Sequence, residues 1–159
     1  MWWLLLIPGL FALSLIFGAP YVPTHKSAID QAIKLIGLKP GQLLLELGAG
    51  DGRVALAAAK QGLRVEGFEA NPLFWLIAKV RTWRYRRLVR LRLADFKSAA
   101  WPKDAAAIYV FADKFIMNYL ARRLGRWPRP IRLVSYGFAL PGTEPAKQVG
   151  ALWRYDLNP

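Results

Sequence analysis

The 159-residue chain contains no cysteine and a single histidine, His25. The lack of cysteine excludes disulfide bonds, thiolate metal sites and cysteine nucleophiles. One histidine also excludes a metal centre built from several imidazoles, so we predict no metal site. The length suits one globular domain rather than two.

Acidic residues are scarce as well. The chain has 10 Asp and Glu against 23 Lys and Arg, which gives a net charge of +13. This excess indicates an anionic partner surface, such as lipid headgroups, nucleic acid or an acidic protein. Net charge alone does not choose among these partners.

The amino-terminal segment carries no charge from Trp2 to Ala19. As a helix it would span roughly 27 Å, close to the thickness of a bilayer core. It lacks the basic start of a signal peptide, so we predict that residues 1–19 form an apolar membrane helix that anchors the chain. Pro8-Gly9 leaves an interfacial or tilted helix open, and a buried core helix is the other alternative. Because the basic residues all follow this segment, the positive-inside rule predicts that the remaining chain lies on the cytoplasmic, or matrix-equivalent, side.

Strands and helices alternate through the rest of the chain. The predicted strands are 43–47, 64–69, 89–96, 106–113, 131–138 and 151–157. The predicted helices are 27–38, with Ser27 as N-cap and Gly37 as stop, then 53–61, 71–87 and 115–124. This order predicts, for residues 20–159, an α/β domain with a Rossmann-like, doubly wound, mostly parallel sheet and helices on both faces.

The segment "LLLELGAGDGRV" (43–54) places a glycine-rich loop after the first strand. A phosphate-binding loop would end in Gly-Lys-Ser/Thr, and a dinucleotide-binding loop would need glycine where Arg53 stands. An acid followed by glycines at alternate positions is instead the spacing that binds S-adenosyl-L-methionine. Carboxylates at Glu46 and Asp51 would repel a pyrophosphate but attract an ammonium and a sulfonium. The predicted cofactor contacts in this loop are Glu46, Gly48, Ala49, Gly50 and Asp51.

Polar residues also stand at the ends of the next two strands. Glu69, 19 residues after Gly50, is placed to accept hydrogen bonds from both ribose hydroxyls, and Asn71 follows it. Asp95 could accept a bond from the adenine amino group while Phe96 packs on the base. Each acid alone could be a helix cap, a solvated strand end or a turn residue. Their position at successive strand ends favours one cofactor site.

These residues carry a family resemblance. The chain resembles class I, seven-strand-type methyltransferases, and more narrowly the small membrane-anchored protein-lysine methyltransferases that act on the adenine nucleotide translocase and the ATP synthase c-subunit. The matching segments are "PYVPT" (20–24), "ELGAGDGRVALAAA" (46–59), "GFEANPLFWLIAKVRTWR" (67–84), "ADF" (94–96) and "LWRYD" (152–156). The resemblance implies methylation of lysine side chains on a membrane-associated protein. It also implies that Tyr21 and Thr24 close over the methionine end of the cofactor.

The acceptor side of the site is less marked in the sequence. A lysine nucleophile must be neutral, so an acceptor or apolar pocket beside its amine would assist transfer. Asp113, at the end of the fourth strand, is the candidate for orienting the amine, and a helix N-cap is its alternative role. The family has a Val-Pro pair where this chain has Asp113-Lys114. A small-molecule or lipid methyltransferase and a membrane-tethered, cofactor-binding pseudoenzyme stay open as alternatives.

A basic cluster follows the second strand. Its members are Lys79, Arg81, Arg84, Arg86, Arg87, Arg90 and Arg92. It could be a solvated helix face followed by an edge strand whose arginines prevent pairing with the strand of another molecule. It could also bind an anionic membrane surface, with Trp75, Trp83 and Tyr85 at headgroup depth. Nucleic acid is the least favoured partner, because the chain leaves no room for a separate recognition module.

Overall fold

The computed structural model describes residues 26–158 as helices packed on both faces of a seven-stranded sheet. Within this range the helices are α1 Lys26–Ile36, α2 Arg53–Lys60, α3 Pro72–Arg81 and α4 Lys114–Leu124. The strands are β1 Leu43–Leu47, β2 Arg64–Glu69, β3 Val89–Leu93, β4 Ala107–Phe111, β5 Ile131–Tyr136, β6 Lys147–Val149 and β7 Leu152–Leu157. The predicted anchoring segment 1–19, Tyr21 and Thr24 lie outside the described residues.

The strand order across the sheet is β3-β2-β1-β4-β5-β7-β6. Neighbours among β1 to β5 run parallel, whereas β7 is antiparallel to both β5 and β6. The chain moves outward from β1 to β3 and then returns to place β4 beside β1. Ligands of such sheets bind outside the carboxyl ends of the strands, where the order reverses. The predicted doubly wound, mostly parallel sheet is confirmed.

The hydrophobic core lies in two layers, one on each face of the sheet. Ile33 of α1, Ala55 of α2 and Ala78 of α3 belong to one layer. Met117 of α4 packs in the other layer together with Trp101, which precedes β4. Every residue of β1 is buried, as expected of a central parallel strand that is covered on both faces. This packing fixes the carboxyl end of β1, where the glycine loop begins.

Two local predictions were wrong and one strand was missed. Helix α3 ends at Arg81 rather than at residue 87, and a 3₁₀ turn, Trp83–Tyr85, follows it. Ser27 lies inside α1 and is not its N-cap. Strand β6 was not predicted, because its three residues include none that is buried and so carry no hydrophobic pattern.

Within residues 26–158, no helix combines the length and the apolar character that crossing a bilayer requires. The membrane helix predicted at residues 1–19 therefore stays a prediction.

Candidate active site

The glycine loop turns over the end of β2. The Gly48 and Ala49 N–H groups both donate to the Phe68 carbonyl, at 3.0 and 2.8 Å. Gly48 has a φ of +77°, and a Cβ added there would meet no atom within 4 Å. The outer side of the loop therefore borders open space, and a ligand can approach its backbone without a side chain in the way.

Two other glycines are required by packing rather than by a ligand. A Cβ on Gly52 would lie 2.8 Å from the Ala78 Cβ, so only glycine lets the start of α2 pack on α3. Gly67 pairs with Glu46 across the sheet, and its added Cβ would lie 2.7 Å from Leu91 Cδ2. A side chain at either position would therefore collide with a neighbouring helix or strand.

Glu69 ties the glycine loop to the turn that follows β2. Its Oε2 accepts the Gly50 N–H at 2.8 Å, and its Oε1 accepts the Asn71 N–H at 2.8 Å. A carboxylate offers about four lone-pair positions, so both oxygens can still accept further bonds. The carboxylate is half-buried and lies where the sequence places the ribose-binding acid.

Glu46 is a buried acid at the centre of this edge. It is 2% exposed, and its Oε2 has no hydrogen-bond partner among the described residues. Burial raises the pKa of Glu46 well above its usual range, and the negative charges of Glu69 and Asp51 raise it further. A hydrogen bond from the Ala55 backbone lowers this pKa, but its effect is the smallest of the four. A cationic ligand would offset these unfavourable effects, so the environment fits an ammonium or sulfonium.

The charge of Asp51 is already balanced within the protein. Its Oδ2 accepts from Arg53 Nε at 2.8 Å and from a terminal Arg81 nitrogen at 2.5 Å. These ion pairs join the loop to α3, and the contact between Asp51 and a cationic cofactor stays a prediction. Arg81 was missed as a partner, because it follows Asp51 by 30 residues and carries no local signal.

The polar residues at the next strand ends have local partners. The Asn71 side chain caps α3 by accepting the Leu73 and Phe74 N–H groups at 2.9 and 3.3 Å. Asp95 accepts the Lys97 N–H at 2.9 Å, as a turn residue does. The Phe96 ring lies 6.5 Å from that of Tyr119. The adenine-binding roles of Asp95 and Phe96 stay predictions.

Asp113 begins α4. Its Oδ1 accepts the Ile116 N–H at 2.9 Å, which is an N-cap contact and the alternative that the sequence left open. Its role toward an acceptor amine stays a prediction.

An aromatic pair at the ends of β4 and β5 was not anticipated. Phe111 and Tyr136 pair in register, and their rings meet edge to face at 4.9 Å. Gly137, with a φ of +92°, follows directly, and a Cβ there would lie 3.1 Å from the Phe111 ring. The available signal was an aromatic residue at the carboxyl end of each of two predicted strands.

The acidic loop edge fits S-adenosylmethionine as its ligand. Glu46 supplies an unpaired buried oxygen, Glu69 supplies acceptor positions, and Gly48 leaves open space beside the backbone. The strand order, with an antiparallel strand toward one edge, and this loop are those of a class I S-adenosylmethionine-dependent methyltransferase.

Comparison with known proteins narrows this class. The family model of the ANTKMT methyltransferase domain matches residues 46–147. The chain is 31% identical over 166 residues to the adenine nucleotide translocase lysine N-methyltransferase of Mus musculus, covering 99% of this chain and 71% of the relative. It is 27% identical to the ATP synthase c-subunit lysine N-methyltransferase of Homo sapiens, covering 87% of this chain and 62% of the relative. The chain belongs to the ANTKMT methyltransferase domain family.

The solved structures support the same fold. An RNA methyltransferase from Salinibacter ruber, crystallised with S-adenosyl-L-homocysteine, superposes with a TM-score of 0.80 at 24% identity. The match covers 86% of this chain and 94% of that protein. At this identity the likeness concerns the fold and not the substrate.

Proposed function

We propose that this chain transfers the methyl group of S-adenosylmethionine to lysine side chains of a membrane-associated protein. The observation that carries the proposal is similarity along nearly the whole chain to lysine N-methyltransferases named for the adenine nucleotide translocase and the ATP synthase c-subunit. The acidic edge of the sheet supports the same reaction, because its carboxylates suit a cationic methyl donor.

The cofactor supplies an electrophilic methyl group on a sulfonium, which a neutral amine accepts with its lone pair. Glu46, Gly48 and Glu69 would hold the cofactor, and Gly50 is fixed by its bond to Glu69. The enzyme's contribution is mainly the positioning of the two reactants and the exclusion of water. Asp95 and Phe96 are proposed to contact the adenine, and Tyr21 and Thr24 the methionine end.

The acceptor lysine is proposed to enter beside the ends of β4 and β5. There the rings of Phe111 and Tyr136 offer an apolar wall, and desolvation beside it favours the neutral form of the amine. Asp113 stands two residues beyond β4 and could accept a bond from that amine. As the carbon–nitrogen bond forms, the carbon–sulfur bond breaks and S-adenosylhomocysteine is the leaving group. The methylated nitrogen then carries the positive charge and must release a proton before it can accept another methyl group.

The membrane location is a further part of the proposal. Residues 1–19 are proposed to anchor the chain, with the catalytic domain on the cytoplasmic, or matrix-equivalent, side. Removing these residues should leave cofactor binding intact, because Glu46, Glu69 and the whole sheet lie within residues 26–158. The same deletion should slow methylation of membranes, since anchoring raises the effective concentration of enzyme and substrate.

Transfer of a labelled methyl group tests the proposal. The full chain is incubated with methyl-labelled S-adenosylmethionine and isolated membranes, and peptides and lipids are then analysed by mass spectrometry. Label on lysine residues of a membrane protein is expected, and Glu69→Ala, at a cofactor concentration limiting for wild type, should transfer much less. Label on lipid or on a small molecule would show that this molecule, and not a protein, is the substrate. Cofactor binding without any methyl transfer would identify a pseudoenzyme.

A further inference from the structure

Three large apolar side chains are exposed along α3 and the turn after it. Leu76 is 54% exposed, Val80 70% and Trp83 61%. Their spacings of four and three residues place them in one stripe along the helix. The opposite side of α3 packs on the core through Ala78, and Trp75 donates its indole N–H to the Leu91 carbonyl at 3.2 Å. The stripe therefore points away from the domain.

Cations lie beside this stripe, and most of them have no acidic partner among the described residues. Of the seven in the basic cluster, Arg81 pairs with Asp51 and Arg92 with Glu66, at 2.5 and 3.1 Å. The other members form no ion pair with the residues that the structure describes, and all are exposed: Lys79, Arg84, Arg86, Arg87 and Arg90. The Arg86 guanidinium lies 5.1 Å from the Trp83 ring. Arg90 lies between Val89 and Leu91, which pack into the core layer that holds α3, so its side chain points to the other face of the sheet. We call the stripe and the remaining four cations, Lys79, Arg84, Arg86 and Arg87, the α3 face.

The chemistry of the α3 face selects one kind of partner. A single-stranded nucleic acid would use the cations and stack on Trp83, but it would leave Leu76 and Val80 without a partner. An anionic bilayer accommodates all three kinds of group: aliphatic side chains below the headgroups, an indole at the interface and cations on the phosphates. The four exposed cations beside the stripe match the negative potential of such a surface.

We infer that the α3 face docks on an anionic lipid bilayer. The inference rests on the proposed membrane location and deepens it, because it gives the catalytic domain a second, peripheral contact besides the proposed anchor. Helix α3 begins at Pro72, next to Glu69, so the docked helix is joined directly to the cofactor-binding edge. Docking would set the orientation of that edge relative to the bilayer.

The chain has no native cysteine, so a single label can report on one surface at a time. The full chain carries Val80→Cys labelled with an environment-sensitive fluorophore, and it is mixed with vesicles that contain nitroxide-labelled lipid. The matched control is Gln148→Cys on β6, an exposed position at the opposite edge of the sheet. The anchor is identical in both proteins, and the charge-reversal variants below separate an orientation imposed by the anchor from docking through the cations.

Strong quenching at Val80 and little at Gln148 is expected with phosphatidylserine-containing vesicles, fading as salt rises. A second pair of variants tests the cations. Arg84→Glu with Arg87→Glu should abolish the quenching, because each cation near such a surface contributes about 1 kcal/mol, or about fivefold in binding. Arg122→Glu with Arg126→Glu, an equal charge change on and just after α4, should leave it unchanged.

Two results would overturn the inference. Equal quenching at both labels would mean that the anchor alone brings the domain near lipid. A Val80 label that ignores vesicles but responds to added RNA would identify the α3 face as a nucleic-acid surface. Cofactor binding, measured on the same labelled proteins, separates either result from a failure of the proposed methyltransferase function.

Discussion

Replacing Glu69 with alanine removes the one side chain that joins the glycine loop to the turn after β2. The Gly50 and Asn71 N–H groups, each 2.8 Å from the carboxylate, lose their acceptor. A hydrogen bond to a charged group contributes about 1.5–3 kcal/mol. Because this carboxylate is only half-buried, water can replace part of the hydrogen bonding that the two N–H groups lose. We therefore expect the free energy of unfolding to fall by about 3 kcal/mol in total.

The same change should weaken cofactor binding by about 1.5–3 kcal/mol, which is about 10- to 150-fold, because the proposed ribose acceptor is lost and the loop is loosened. Titration calorimetry with S-adenosylhomocysteine measures the affinity, and urea denaturation measures the stability. Glu66→Ala is the matched control on the same strand, since it removes only an ion pair to the part-exposed Arg92. A folded Glu69→Ala protein that binds as tightly as wild type would refute the assignment of Glu69.

Three further substitutions test other parts of the site. Burial raises the pKa of Glu46 in the folded chain, so between the unfolded-state pKa and this raised pKa the folded chain binds more protons than the unfolded chain. Over that pH range the free energy of unfolding falls as the pH rises. Glu46→Gln should therefore remove this slope and raise the melting temperature at neutral pH, yet weaken S-adenosylhomocysteine binding; a lower melting temperature would contradict the reasoning. Gly52→Ala should cost about 3 kcal/mol by forcing a Cβ against Ala78, whereas Gly142→Ala, with a positive φ but no atom within 4 Å, should cost about 1 kcal/mol in the same denaturation assay. Asp113→Asn retains a capping oxygen, so a lower kcat with unchanged melting temperature would support a role at the amine, and an unchanged kcat would leave it a cap only.

Local patterns predicted the architecture well, because its central features are local. The fully apolar run that opens β1, the acid-and-glycine loop and the acid that ends β2 are all contiguous or at a fixed spacing. Their meeting at one edge follows from the parallel arrangement, in which the carboxyl ends of the strands lie together. The placement of Glu46 and Glu69 at one edge could therefore be predicted from the sequence alone.

The contacts that the sequence did not reveal are long-range or depend on where a helix ends. The bond between Arg81 and Asp51 joins residues far apart in the chain, and no local pattern indicated that this acid pairs with α3. Helix α3 ends before Trp83, which lies in the following 3₁₀ turn and is exposed, whereas Trp75 packs against the core. The sequence placed both tryptophans in one helix, so it did not predict these different surroundings.

A crystal structure of the full chain with S-adenosylhomocysteine would test the cofactor site most directly. The account predicts the ribose hydroxyls within hydrogen-bond distance of the Glu69 carboxylate, the amino-acid end beside Glu46, and the ligand against the open side of Gly48. A ligand bound elsewhere, or placed with no contact to Glu69 or to the glycine loop, would contradict it.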